Sequence, residues 1–127
     1  MKVFKRYFAI PAPPEEVYLA LTNPLTIYLW TGEEAEMSSE PGSEFSLWGG
    51  NICGKNLEFE ESKKIVQEWY FGDRPEQSIV TLKLHKTDNG QTSVELHQTN
   101  IPDEDFQNIQ DGWTGMYFGA LREFYEE

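Results

Sequence analysis

Two histidines, one cysteine and scattered carboxylates are what this sequence offers to acid–base or metal chemistry. Such work needs a side chain with a partner placed to act on it. His85 and His97 fall out of phase with the apolar alternation around them (Leu82 and Leu84, Val94 and Leu96), so both are expected to face water. No third ligand accompanies them at a spacing that suits a metal. Cys53 stands in Gly49-Gly50-Asn51-Ile52-Cys53-Gly54 without a neighbouring His or basic side chain, so nothing there favours a thiolate and it reads as structural. A lone cysteine also excludes an internal disulfide. The acidic runs Glu33-Glu34, Glu60-Glu61, Asp103-Glu104-Asp105 and Glu126-Glu127 fit loop and helix-end solvation. Phosphate-cradling glycine loops, zinc motifs and Gly-x-Ser-x-Gly elbows are missing, so no metal or cofactor is expected.

What remains is aromatic. Phe, Trp and Tyr make up 14% of the 127 residues, which argues against a disordered chain. Large rings both fill cores and line ligand sites. Ten basic against twenty-two acidic residues give 10 − 22 = −12. That charge disfavours nucleic acid and anionic membrane, and it suits solubility or a basic protein partner. The N-terminus Met1-Lys2-Val3-Phe4-Lys5-Arg6 lacks the apolar run of a signal peptide, and a cytoplasmic location is the default expectation.

The elements that position these rings follow from periodicity. Val3 to Ile10 reads as a strand ending at Pro11-Ala12-Pro13-Pro14. Pro14, Glu15 and Glu16 suit the first turn of a helix carrying Val17, Ala20 and Leu21. Asn23 caps a second short helix bearing Leu25, Tyr28, Leu29 and Trp30, which Gly32 stops. Phe45 and Leu47, Leu57 and Phe59, Ile65, Gln67 and Trp69, then Val80, Leu82 and Leu84, then Val94, Leu96 and Gln98 alternate with mostly polar residues. This predicts an antiparallel meander with one face buried. Turns fall at Pro41-Gly42, Gly49-Gly50, Glu61-Ser62-Lys63 and Asp88-Asn89-Gly90. From an expected cap at Asp103, the residues Phe106, Ile109, Trp113, Met116, Tyr117, Ala120, Leu121 and Phe124 step by three and four, one broad apolar stripe on a long terminal helix.

Several segments resemble a known family in their order and spacing. Phe8-Ala9-Ile10-Pro11-Ala12-Pro13-Pro14-Glu15-Glu16-Val17 is similar to the strand-to-helix opening of the START-like (SRPBCC) superfamily. Gly42-Ser43-Glu44-Phe45-Ser46-Leu47-Trp48-Gly49-Gly50 with Gly54, the strand Ile65-Val66-Gln67-Glu68-Trp69, the segment Val94 to Pro102, and Gly112-Trp113 with Tyr117, Leu121 and Phe124 resemble one family within it. That family holds the homologues of the activator of the ninety-kilodalton heat-shock protein's ATPase. Tyr70 stands where the family often has Arg, and the chain opens directly on the START-like strand. The resemblance implies an α+β helix-grip fold over residues 1–127 as one domain. About six or seven antiparallel strands would curve round the long C-terminal helix, with two short helices after the first strand.

A helix-grip fold leaves a hollow between sheet and helix. Its expected lining is Trp30, Phe45, Leu47, Phe59, Gln67, Trp69, Leu82, Leu96, Gln98, Trp113, Met116 and Tyr117, with Gln67 and Gln98 offering orienting hydrogen bonds. The bland alternative is a filled core with both glutamines bonded to backbone. The resemblance implies a non-catalytic binding module, as a carrier of a small hydrophobic ligand or a co-chaperone-like helper in stress response, working as a monomer or weak dimer. A START-like cyclase, dehydratase or hydrolase acting on an aromatic or polyketide-type molecule is the other reading. It needs an acid or base in the hollow, for which Tyr28 and Tyr117 are the candidates.

Overall fold

β-branched and aromatic residues at alternate positions build six strands in the computed structural model, which describes residues 1–72 and 75–126. β1 (Lys2–Ile10), β2 (Glu44–Leu47), β3 (Ile52–Glu60), β4 (Lys64–Trp69), β5 (Ser78–Lys86) and β6 (Thr92–Ile101) form one antiparallel sheet in the order β1-β6-β5-β4-β3-β2. β2 to β6 follow one another as a meander. The helices α1 (Pro14–Thr22) and α2 (Pro24–Thr31) carry the chain from β1, at one edge, to β2 at the other. This is the α+β helix-grip arrangement that the resemblance implied, with the antiparallel meander expected from the alternation.

The helix signals work as read. Asn23 Oδ1 accepts the Thr26 N–H at 3.0 Å, and Gly32 ends α2 at φ 78°, where a side chain would be strained. Val17, Ala20 and Leu21 of α1 and Ile27 and Trp30 of α2 are buried.

β3 departs from the expected alternation. Its register with β4 shifts between Asn56 and Glu58, so one extra residue bulges out. Leu57, expected inward, is therefore 37% exposed, and Asn56 takes the buried position instead. On the inner face Asn56, Gln67, Val80 and Gln98 stand opposite one another across β3, β4, β5 and β6, a row running through the middle of the sheet.

The terminal helix is not one regular helix from Asp103. A 3₁₀ turn (Asp103–Asp105) precedes α3 (Phe106–Asp111), a π-helical turn (Gly112–Tyr117) and α4 (Phe118–Tyr125). The wider turn rotates everything after it. Regular spacing pairs Met116 with Trp113 and sends Phe118 outward, but here Met116 is 55% exposed and Phe118 only 1%. The kink also brings the Thr114 carbonyl over Gly119, where a Cβ would lie 2.5 Å from its oxygen. Only glycine fits there.

Candidate functional site: an aromatic groove beside the helical kink

Trp69 of β4 and Trp113 of the π-helical turn stack at 4.7 Å between ring centroids and 26° between planes. An indole N–H can only donate, so each ring needs an acceptor when buried. Trp69 Nε1 donates to Gln67 Oε1 at 3.0 Å, and Gln67 Nε2 donates to Asn56 Oδ1 at 3.0 Å. The Asn56 amide passes the chain on to the Ser38 carbonyl and Ser43 Oγ, at 3.2 and 3.1 Å. Trp113 Nε1 likewise donates to Gln98 Oε1 at 2.8 Å, while Gln98 Nε2 reaches Ser78 Oγ at 3.0 Å and Ser78 in turn bonds the Thr99 carbonyl at 2.7 Å. These bonds fix which way both amides point.

The rings continue outward from the stack. Trp113 packs on Tyr117 at 4.6 Å, and Tyr117 meets Trp30 at 5.3 Å and Trp48 at 5.9 Å. Trp48 is held at φ 50°, with Gly49 and Gly50 after it also at positive φ. A bulky residue in that region is strained, and such strain gathers where surrounding contacts over-determine a site. Between this turn, α3 and the π-helical turn lies a groove of about 510 Å³. Its walls are Trp48, Ile52, Trp69, Ile109, Trp113 and Tyr117, with Asn51, Asn108, Gly112 and Met116 completing it. A smaller extension of about 230 Å³ runs past Trp69 to Tyr70 and Phe71.

Of the twelve residues expected to line a hollow, the groove brings together Trp69, Trp113, Met116 and Tyr117. Met116 sits at its mouth rather than inside, because of the π-helical rotation. Trp30, Phe45, Leu47, Leu82 and Leu96 are buried in the core behind it. Phe59 is half-buried beyond the β3 bulge, away from the groove. Gln67 and Gln98 bond side chains rather than backbone: their carbonyls accept from the two indoles, and their amides donate to Asn56 and Ser78. Tyr28 is not in the hollow, since α2 turns Ile27 and Trp30 inward and leaves Tyr28 49% exposed in a separate recess. His85 bonds Glu95 at 2.8 Å on the outer face of the sheet, and His97 lies half-buried on that same face. The described residues contain no group of three His, Cys, Asp or Glu arranged as a metal site, and no helix long and apolar enough to cross a membrane. Trp48 and Asn56 were missed; the glycines after Trp48 were the one available signal.

Tyr117 is the titratable side chain in the groove. Every enclosed side-chain N or O atom among the described residues has a hydrogen-bond partner, yet the Tyr117 hydroxyl makes no such bond, so it reaches the groove. Burial holds its phenol well above the ordinary 10.0. In the unfolded chain the phenol loses its proton near that ordinary value while the folded protein still keeps it. Stability therefore falls as pH rises through about 10. Tyr117→Phe should flatten this alkaline loss in urea midpoints taken between about pH 9 and pH 11, with little change at neutral pH. An unchanged alkaline slope would place the hydroxyl in water.

The family profile described as Activator of Hsp90 ATPase homolog 1-like protein matches residues 11–126. The human activator of 90 kDa heat shock protein ATPase homolog 1 is 27% identical over 113 residues, covering 88% of this chain and 33% of that protein. The Dictyostelium discoideum homologue is 31% identical over 102 residues, 79% of this chain and 27% of its own length. The chain thus spans about a third of these relatives. Among solved structures, an HSP90 activator from Plasmodium falciparum superposes with a TM-score of 0.87 at 26% identity, covering 95% of this chain and 94% of its own. An Aha1 dimer from Colwellia psychrerythraea shares the fold at a TM-score of 0.81 and 22% identity, covering 99% and 97%. On the profile match, which takes in everything from the end of β1 through α4, this chain belongs to the Activator of Hsp90 ATPase homolog 1-like family.

Proposed function

We propose that the chain is a non-catalytic binding module that assists a chaperone of the ninety-kilodalton heat-shock class, using the aromatic groove as a contact for apolar side chains. One observation carries this reading: Trp69 and Trp113 stack on each other between sheet and helix, and the groove beside them is walled mainly by apolar side chains. Among the described residues that line the groove, Tyr117 is the one titratable side chain, with no second acid or base on the walls to pair with it. The activity named for the human and Plasmodium relatives supports a chaperone as the partner. The test is the ATPase rate of a purified chaperone of this class with increasing amounts of the protein. Met116→Glu puts a charge at the groove mouth and should weaken the half-maximal effect about tenfold with the fold intact. An unchanged rate at saturating protein, with no complex in sedimentation, would sink the proposal.

A carrier of a small aromatic ligand is the second reading, favoured by the unpartnered Tyr117 hydroxyl on a mainly apolar wall. Titration with indole or a naphthalene dye should then perturb the fluorescence of Trp48 and Trp113. No shift at millimolar probe would remove it.

A further inference from the structure

α2 is apolar on both sides. Ile27 and Trp30 turn into the core, while Leu25, Tyr28 and Leu29 stand 77%, 49% and 65% exposed on the opposite face. A helix that is apolar all round is ordinarily enclosed, and these three residues gather at i, i+3 and i+4 on one side. Leu19 of α1 is exposed beside them in the chain. Two recesses adjoin at Pro24: about 340 Å³ with Leu25, Tyr28 and Glu34, and about 600 Å³ with Glu15, Leu19 and Glu61. Together they make one strip along α1 and α2 that shares no residue with the aromatic groove.

Charge says what would cover this strip. No Lys, Arg or His occurs between Tyr7 and Gly54, whereas Glu15, Glu16, Glu33, Glu34, Glu36, Glu40 and Glu44 do, all exposed. None of them is ion-paired among the described residues. No basic side chain lines either recess. A second copy fits poorly, because twofold pairing sets the same carboxylates against each other on a chain of net charge −12. Anionic lipid and nucleic acid are repelled in the same way. The geometry points to a docking face for a basic, amphipathic protein segment. Its apolar side chains cover Leu19, Leu25 and Tyr28, and its Lys or Arg side chains meet Glu15, Glu34 and Glu61. The face acts independently of whatever occupies the groove.

The experiment uses the full chain, isotope-labelled, and two synthetic amphipathic helical peptides with the same leucines, one with Lys and one with Glu at the polar positions. The Lys peptide should shift amide signals in residues 15–36 and 61–62, and its affinity should fall as salt screens the carboxylates. Leu25→Glu lies on the surface and leaves the fold alone, and it should weaken the Lys peptide about tenfold. Glu33→Lys with Glu34→Lys should move the preference toward the Glu peptide. Met116→Glu, which acts on the groove, should leave the affinity for the Lys peptide unchanged. Equal binding of both peptides, shifts confined to the Met116 groove, or no binding at millimolar peptide would overturn the proposal. So would a dimer in sedimentation equilibrium that Leu25→Glu dissolves, which would make a second copy the occupant.

Discussion

Gly54→Ala is expected to leave little folded protein. A Cβ at this position would fall 1.9 Å from the Glu68 carbonyl oxygen and 2.9 Å from Cε1 of Phe45. Neither neighbour is free to move aside. The Glu68 carbonyl belongs to β4, and Phe45 is buried at 2% exposure. Gly54 stands opposite Phe45 in β2 and Trp69 in β4, so three strands meet over its missing side chain. Overpacking usually costs 1–3 kcal/mol where side chains can adjust. Backbone displacement puts the expected cost here above about 4 kcal/mol, a large share of a typical domain's stability. Moving β4 would also shift Trp69 and, through the stack, the wall of the groove. Gly112→Ala is the internal control: no atom lies within 4 Å of its added Cβ, and its helical backbone predicts a gain of about 0.5–1 kcal/mol. Urea midpoints of the two variants decide the matter. A Gly54→Ala midpoint near that of the wild type would mean that β3 and β4 do not approach this closely.

The contrast between these glycines shows what a sequence can and cannot display. Phe45 and Leu47, or Val80, Leu82 and Leu84, alternate because one face of the sheet is buried, and the structure buries them all. Asn56 was invisible for the opposite reason. A buried Asn looks like a surface residue until the bulge at Leu57 resets the register and Gln67 appears across the ladder as its partner. The stripe on the last helix was legible, but its phase was not, since no local propensity marks the wider turn that swaps Met116 for Phe118. The glutamines were correctly placed inward. Their partners depended on which indole each one faces, and that is a tertiary fact. So the chain's alternation announced one buried face, while only the tertiary fold stacks Trp69 on Trp113 and leaves a groove beside them.

Trp113→Ala should be the most destabilising change among the groove residues. The side chain is 2% exposed and packs on Trp69, Tyr117 and Phe118 with centroid distances of 4.7, 4.6 and 5.6 Å. Truncating a buried ring of this size costs about 3–5 kcal/mol. It also strands the Gln98 carbonyl, whose indole donor is lost, for about 1 kcal/mol more. Because the groove lies alongside, water can enter the vacated space and meet that carbonyl, which keeps the total near the lower end of the sum. Trp113→Phe separates the two contributions: it retains most of the packing and removes only the donor, so about 1–2 kcal/mol is expected. A double-mutant cycle with Trp69→Phe should then return a coupling of about 0.5–1.5 kcal/mol for the stack. Denaturation midpoints measure all three. A Trp113→Ala midpoint within error of wild type would put this ring at the surface, and a Phe variant as unstable as the Ala variant would mean that the bond to Gln98, not the packing, holds the helix on the sheet.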